Sequence, residues 1–333
     1  MLDTLEPLLP QPLARIVADL PQAVRGGLEE IRVREGRPLE LVFGRTYAFA
    51  TSRGAVTGDP GAAYAPTRDV CAKLLDLLTN HSVYSFEEEL KRGYITVAGG
   101  HRVGLAGRTV LEHGKVKLVR DVAGFSLRIA REVIGCASDV LPFLIDERAG
   151  TVHHTLVVSP PQQGKTTLIR DLARLVSAGA WPSPHRFGGR KVGIVDERSE
   201  IAACVKGVPR FDLGPRTDVL DGCPKAEGMM MLIRSMSPDV LVVDEIGKEE
   251  DALAVEEALH AGIRIIASAH GRDVDDVSRR PALRRLFDGR LFGRIVLLRR
   301  EASGTAAEAA VFDSAGLRVD RQTAFRAGGG RPP

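Results

Sequence analysis

The 333-residue chain holds a single asparagine, Asn80, and His81 follows it. The guanine-recognition pattern Asn-Lys-x-Asp therefore cannot exist, and ATP is favoured over GTP by elimination, without a positive adenine signature. Cysteine is also scarce. Cys71, Cys136, Cys204 and Cys223 are scattered and form no Cys-x-x-Cys pair. Neither a zinc knuckle nor a disulfide scaffold is indicated, and a reducing cytoplasm fits this usage. No run of about 18 uncharged apolar residues occurs, so no membrane-spanning helix is expected. The opening MLDTLEPLLPQPL has acids and no basic stretch, so a secretory signal is not expected. A surplus of one charge is missing too: 46 basic and 43 acidic residues leave a net +3. That is too little to grip nucleic acid by bulk charge, although local basic patches remain open.

What is present is ordinary globular material, 44% hydrophobic and 27% charged, at a length that suggests about two domains. QPLARIVADLPQAV has helical spacing, while IRVRE, LELVFG and TYAFATS read as strands. APTRDVCAKLLDLLTN predicts a helix with Leu74, Leu75, Leu77 and Leu78 along one side. From SFEEELKRGYITV onward, period-two stretches separated by Ala98-Gly99-Gly100 and His113-Gly114 predict an antiparallel meander. Its glycines mimic a phosphate loop, but no helix follows them, and hairpin turns are the better reading.

The rhythm changes at DERAGTV, residues 146–152. Beyond it come TLVVS, KTTLIRDLARLVSA, KVGIVDE, KAEGMMMLIRSM, DVLVVDE, KEEDALAVEEALHAG and IRIIASAH. Apolar strands alternating with amphipathic helices predict a mostly parallel sheet covered on both faces. The expected layout is an α+β domain over 1–148 and an α/β domain over 149–300. GRIVLLRR and AAVFDSAGLRV both read as edge strands, and 301–333 is expected to hold edge strands and then the tail RAGGGRPP, expected to be disordered.

SPPQQGKTT, residues 159–167, carries the chemistry. Consecutive backbone N–H groups that open a helix form an anion cradle, to which the helix dipole adds. Ser159, Pro160, Pro161, Gln162 and Gln163 make the loop, and Gly164 allows close backbone approach. Lys165 would reach the β and γ phosphates, Thr166 would offer its hydroxyl to Mg²⁺, and Thr167 would contact the α-phosphate. Ser159 stands where the pattern has glycine; a small residue suffices there unless its φ must be positive.

PDVLVVDEIG, residues 238–247, ends an apolar strand in Asp244, placed to hold Mg²⁺, and Glu245, placed to orient the attacking water. GIVDERSEIA adds Asp196, Glu197 and Glu200, with Arg198 able to hold them in place; surface charge past a strand end is the equal alternative. In IIASAHG, Ser268 and His270 close another strand, where His270 would sense the γ-phosphate or be a satisfied core histidine. His153 and His154 would face opposite sides of a strand and share no metal. The N-terminal half carries Arg92, Arg102, Arg108, Arg120, Arg128 and Arg131. Most are expected to be solvated, with Arg120, Arg128 and Arg131 as candidates to complete a neighbouring subunit's site. RRPALRRLFDGRLFGRIVLLRR would touch anionic lipid or nucleic acid, or be a solvated helix face.

SPPQQGKTTLIRDLARLVS, VGIVDERSEIAACVKGVP, RTDVLDGCPKAEGMMMLIRSMSPDVLVVDEIG and ASAHG resemble the stage III sporulation protein AA family. FEEELKRGYITVAGGHRVGLAGR is similar to that family's N-terminal half, so the resemblance runs from Phe86 to Arg300. It implies a RecA-like P-loop core behind a smaller N-terminal domain, a homo-oligomer of hexameric type, and kinship with type II and type IV secretion ATPases. It further implies an ATPase serving membrane-embedded channel proteins during endospore formation. The implied place is the mother-cell cytoplasm, with the membrane reached through partners. By the same resemblance Glu197 matches an acidic box, Asp244-Glu245 a Walker B motif and His270 a histidine box. Arg234 falls in a motif near the active site. The C-terminal region lacks the tetracysteine that some secretion ATPases use to bind zinc.

Overall fold

The computed structural model describes residues 2–44, 46–82, 86–161, 163–300, 307–320 and 323–325. They form two compact units, Met1–Arg131 and Glu132–Pro333.

The first unit is built on an antiparallel sheet. Its strands are β1 (Leu28–Arg34), β2 (Glu40–Phe43), β3 (Thr46–Ala50), β4 (Val56–Thr57), β5 (Tyr94–Val97), β6 (His101–Glu112) and β7 (Lys115–Arg128), in the order β4-β3-β2-β1-β7-β6-β5. Helices α1 (Gln11–Ala18), α2 (Gln22–Gly27), α3 (Arg68–Leu78) and α4 (Glu87–Arg92) accompany it. QPLARIVADLPQAV makes two helices rather than one, because Pro21 cannot continue the first helix and starts the second. Thr67 caps α3 through the Val70 amide, and Cys71, Leu74 and Leu78 form its buried stripe. Leu75 and Leu77 are only half-buried. The meander begins at Tyr94, since FEEELKR ahead of it turns as α4 and is stopped by Gly93 at φ 77°.

The second unit begins earlier than the expected boundary near residue 148. Cys136, Ala137, Val140, Leu141, Leu144 and Ile145 are buried in its core. β8 (Ile145–Asp146) pairs with β9 (Thr151–Val152), so residues 146–152 lie in a hairpin inside the second unit. The main sheet contains β10 (Thr155–Ser159), β11 (Val192–Asp196), β12 (Thr217–Asp221), β13 (Val240–Val243), β14 (Arg264–His270), β15 (Arg294–Arg300), β16 (Ala307–Asp313) and β17 (Thr323–Phe325). Their order is β12-β11-β13-β14-β10-β15-β16-β17. All pairings from β12 to β15 are parallel, and β16 and β17 join antiparallel. GRIVLLRR is therefore an interior strand, not the expected edge, because AAVFDSAGLRV folds back to cover it as β16. The edge strand β12, in TDVLD, has mixed polarity and no apolar run to announce it.

Helices α5 (Lys165–Ala178), α6 (Lys225–Ser235), α7 (Glu249–His260), α8 (Val274–Ser278) and α9 (Pro281–Asp288) complete the unit. The strand pleat divides the core. Val157, Val192, Ile194, Val240 and Val242 join α5 on one face, while Leu156, Val158, Val195, Leu241 and Val243 join α6, α7 and α9 on the other. This explains the near-continuous apolar strands that the sequence shows. The disorder expected for RAGGGRPP lies outside the described residues. No helix among the described residues is long and apolar enough to cross a membrane.

Candidate functional site

Parallel strands deliver their C-terminal ends to one edge of the sheet. Ser159 ends β10 opposite His270 at the end of β14, and Asp244 follows β13, the other neighbour of β14. Strand order alone thus brings the phosphate loop, the acidic strand end and the histidine together.

Gly164 sits at φ 95°, left-handed backbone that glycine adopts readily, and its carbonyl starts α5 by accepting from the Leu168 amide at 2.9 Å. Lys165 is buried, and its Nζ donates to the Ser159 and Pro160 carbonyls at 3.2 Å each. Nζ also lies 3.3 Å from Ser159 Oγ and 2.9 Å from His270 Nδ1. Burial pushes the ammonium below its ordinary range, while Asp244 and Glu245 pull it back up. Thr166 Oγ1 donates to Asp244 Oδ2 at 2.6 Å, and the Ser268 hydroxyl donates to Asp244 Oδ1. A hydroxyl and a carboxylate converging beside a phosphate cradle are the hard oxygen donors that magnesium takes together with substrate phosphates, so Thr166 and Asp244 fit that ion.

Glu245 stands at φ 54°, unusual for a side-chain-bearing residue, and its amide donates to Ser268 Oγ at 2.9 Å. Its Oε1 is 2.7 Å from His270 Nε2 and its Oε2 is 2.7 Å from Arg198 Nη1. Lys165, His270, Glu245 and Arg198 consequently form one continuous chain of charged and polar contacts. His270 is a member of it, with a side chain 38% exposed rather than buried in the core.

The loop after β11 is organised by Asp196, which is buried and accepts from the amides of Glu200, Ile201 and Ala202 at 2.9, 2.9 and 2.8 Å. Burial pushes this carboxyl up to about 6, the three amides hold it back, and Asp221 adds to the rise. From the other side Arg170 donates to the carbonyls of Ile201 and Glu200 at 2.5 and 2.6 Å. Asp196 and the backbone of Glu200 thus build the loop, and Glu197 and Arg198 project from it. Glu197 pairs with the buried Lys225, which outweighs burial and holds the carboxyl below its ordinary range. A β-carbon on Gly228 would lie 2.5 Å from Val195 Cγ1, so only glycine lets α6 pack this closely on β11 and bring Lys225 to Glu197.

Sequence reading missed Lys225. Its signal was a lysine in the first turn of a helix, against the dipole, which calls for an anion nearby. Arg170, Ser199 and Asp221 were also missed; Ser199 Oγ donates to Asp221 Oδ1 at 2.5 Å.

Pro161 is exposed, and Gln163 and Thr167 are half-buried. Gln162 lies outside the described residues, as does the side chain of Arg92. Arg234 is exposed at the end of α6 opposite to Lys225, so its own chain does not bring it to the cleft. Arg120 and Arg128 are exposed on β7, whereas Arg131 donates to the carbonyls of Gly26 and Leu28 at 3.0 and 2.9 Å. His153 and His154 precede β10 and do not alternate across its pleat. They meet the same Asp146–Arg264 pair, His153 Nδ1 lying 3.7 Å from Asp146 Oδ2 and His154 Nε2 3.1 Å from Arg264 Nη1. In the basic stretch, Arg280, Arg284 and Arg285 pair with Asp276, Asp288 and Glu256.

This sheet order, with a phosphate loop at its C-terminal edge and an α+β unit ahead of it, is the fold of the P-loop secretion ATPases. The chain superposes on the Yersinia pseudotuberculosis ATPase DotB with a TM-score of 0.58 at 14% identity, covering 92% of this chain and 81% of that one. For the pilus retraction motor PilT with bound ADP the TM-score is 0.54 at 14% identity, over 88% and 81%. The chain belongs to the sporulation stage III protein AA family, whose model matches residues 5–319. It is 45% identical over 320 residues to the stage III sporulation protein AA of Bacillus subtilis (strain 168), spanning 96% of this chain and 97% of that protein.

Proposed function

We propose that this protein binds Mg²⁺–ATP and hydrolyses it, as a motor of the secretion-ATPase type that energises a mother cell–forespore channel complex during endospore formation. The observation that carries the reading is the 2.6 Å contact of Thr166 with Asp244, with Glu245 as the next residue. Lys165 and the amides opening α5 hold the phosphates, Thr166 and Asp244 hold the ion, and Glu245 orients the attacking water. The ion supplies charge neutralisation on the β and γ oxygens. Glu197, kept ionised by Lys225, adds a further carboxylate facing the same cleft.

The motor would work as a ring, of six copies by analogy with its fold relatives, on membrane-embedded partners reached from the mother-cell cytoplasm. In such a ring the exposed Arg120, Arg128 and Arg234 are candidates to reach a neighbour, and Arg131 is less suited because its own backbone holds it. A DNA-translocating role is disfavoured by the +3 net charge and by the acid-paired arginines around α9.

Phosphate release from the purified full chain is the test. Turnover that disappears in Lys165→Ala and Glu245→Gln supports the motor. Turnover unchanged in both, or absent from the parent protein while ATP still binds, supports a nucleotide-stabilised scaffold.

A further inference from the structure

The cleft beyond Asp244 is lined by five carboxylates and two cations, Arg198 and Lys225. Lys225 is buried and committed to Glu197. Arg198 differs in every respect. Its side chain is 44% exposed, it rides on a loop whose backbone Asp196 and Arg170 fix, and its Nη1 holds Glu245 Oε2 at 2.7 Å. Through Glu245 and His270 it connects to Lys165, the residue that meets the phosphates.

We propose that Arg198 is a catalytic arginine supplied from within the chain, exchanging Glu245 for the γ-phosphate of bound ATP. The proposal rests on the ATPase reading above and names a further residue of that site. The exchange follows from charge and shape. A terminal phosphate brings close to two negative charges and three acceptor oxygens, against one charge on Glu245. A guanidinium matches phosphate with its planar donor fork, and at 44% exposure it reorients without crossing a packed core.

The same movement frees Glu245 Oε2 to accept from a water molecule. That water's oxygen attacks the γ-phosphorus, the bond to the β–γ bridging oxygen breaks, and its electron pair leaves with ADP. The water's proton passes to Glu245 or to the departing phosphate. Arg198 neutralises the charge that builds on the γ oxygens. The resting contact is then a latch that ATP opens, since ADP lacks the group that draws Arg198 away.

The opposing account makes Arg198 only a latch, and it predicts the opposite sign. The full chain is compared with Arg198→Ala, Arg198→Gln and Arg198→Lys, after thermal unfolding has checked that each folds. Affinity for ADP is measured with and without aluminium fluoride, which mimics the transferring phosphoryl group, and turnover is measured beside it. The expected result is ADP affinity within about twofold of the parent, loss of most of the fluoride-dependent tightening, and turnover lower by on the order of 10²-fold or more, with Arg198→Lys recovering part. Fluoride-dependent tightening retained in Arg198→Ala and Arg198→Gln, with turnover equal or raised, overturns the proposal and leaves the ATPase reading intact. A parent protein that binds no nucleotide, or whose turnover survives Lys165→Ala, overturns both.

Discussion

Thr166 Oγ1 donates to Asp244 Oδ2 across 2.6 Å, although the two residues stand 78 positions apart, on the first turn of α5 and just past β13. On the proposed reading, Thr166 and Asp244 would hold the magnesium ion, which would neutralise charge on the substrate phosphates. Thr166→Val keeps the shape and removes the donor. ATP affinity in the presence of Mg²⁺ is expected to fall about 10- to 100-fold, as for the loss of a hydrogen bond to a charged group. In EDTA, Thr166→Val and the parent should bind ATP alike. A loss of equal size with and without the ion would assign Thr166 to phosphate contact rather than to the metal.

The acidic loop offers a measurement without nucleotide. Burial pushes the Asp196 carboxyl up to about 6, from 3.8 for an ordinary aspartate. An acid whose folded value is raised holds its proton more tightly in the folded state. Its contribution to stability is therefore full below about pH 4, declines as pH rises to about 6, and is flat above. The decline amounts to about 3 kcal/mol. Urea unfolding from pH 4 to 7 should show this decline in the parent relative to Asp196→Asn, and carboxyl-carbon NMR should place one aspartate near 6. A parent curve parallel to that of Asp196→Asn across this window contradicts the assignment.

Much of this site was legible in the sequence because it depends on short-range pattern. Gly164-Lys165-Thr166 follows an apolar strand and opens a helix, and apolar strands run into Asp196, Asp244 and His270. Those strand ends need only a parallel sheet to meet. What escaped detection depends on distant packing. Lys225 reaches Glu197 because Gly228 lets α6 approach Val195, and no local pattern encodes that approach. β12 hid for a related reason: an edge strand buries one side at most and needs no apolar run. The boundary expected near residue 148 followed the change of rhythm at 146–152, whereas the residues before it are core of the second unit.

The Lys225–Glu197 pair should behave as a coupled unit. Removing Glu197 strands the buried Lys225 ammonium, at about 3 kcal/mol, whereas Glu197 is 32% exposed and loses less when Lys225 is removed; removing both relieves most of the larger penalty. Lys225→Met and Glu197→Gln are each expected to lower stability, and the double variant is expected to be more stable than the sum of the two losses. The pH dependence has a definite sign. Glu197 lies below its ordinary range when paired, so the stability it contributes is present above the unfolded value and is lost as pH falls through the folded one. Lys225→Met should therefore weaken the acid-side loss. Strict additivity of the two variants in chemical denaturation would show that the contact contributes nothing to folding.

Ser159, at the position where the phosphate-loop pattern carries glycine, gives the sharpest check on how the loop works. A required glycine would mean a positive φ or a backbone too close for a β-carbon. Neither holds: Ser159 is the last residue of β10, its φ is not positive, and its side chain is fully buried. Its hydroxyl donates to the Pro160 carbonyl at 2.8 Å and faces Lys165 Nζ at 3.3 Å. Serine here is thus part of the polar rim that holds the lysine. Ser159→Gly should leave nucleotide affinity within a few-fold of the parent and lower stability by about 0.5–1 kcal/mol, because glycine in a strand loses more backbone entropy on folding. Ser159→Ala should cost about 1 kcal/mol through the lost hydroxyl contacts, again with little change in affinity. A tenfold or larger gain in nucleotide affinity in Ser159→Gly would mean that serine restrains the loop, and would turn the departure from pattern into a device that weakens binding.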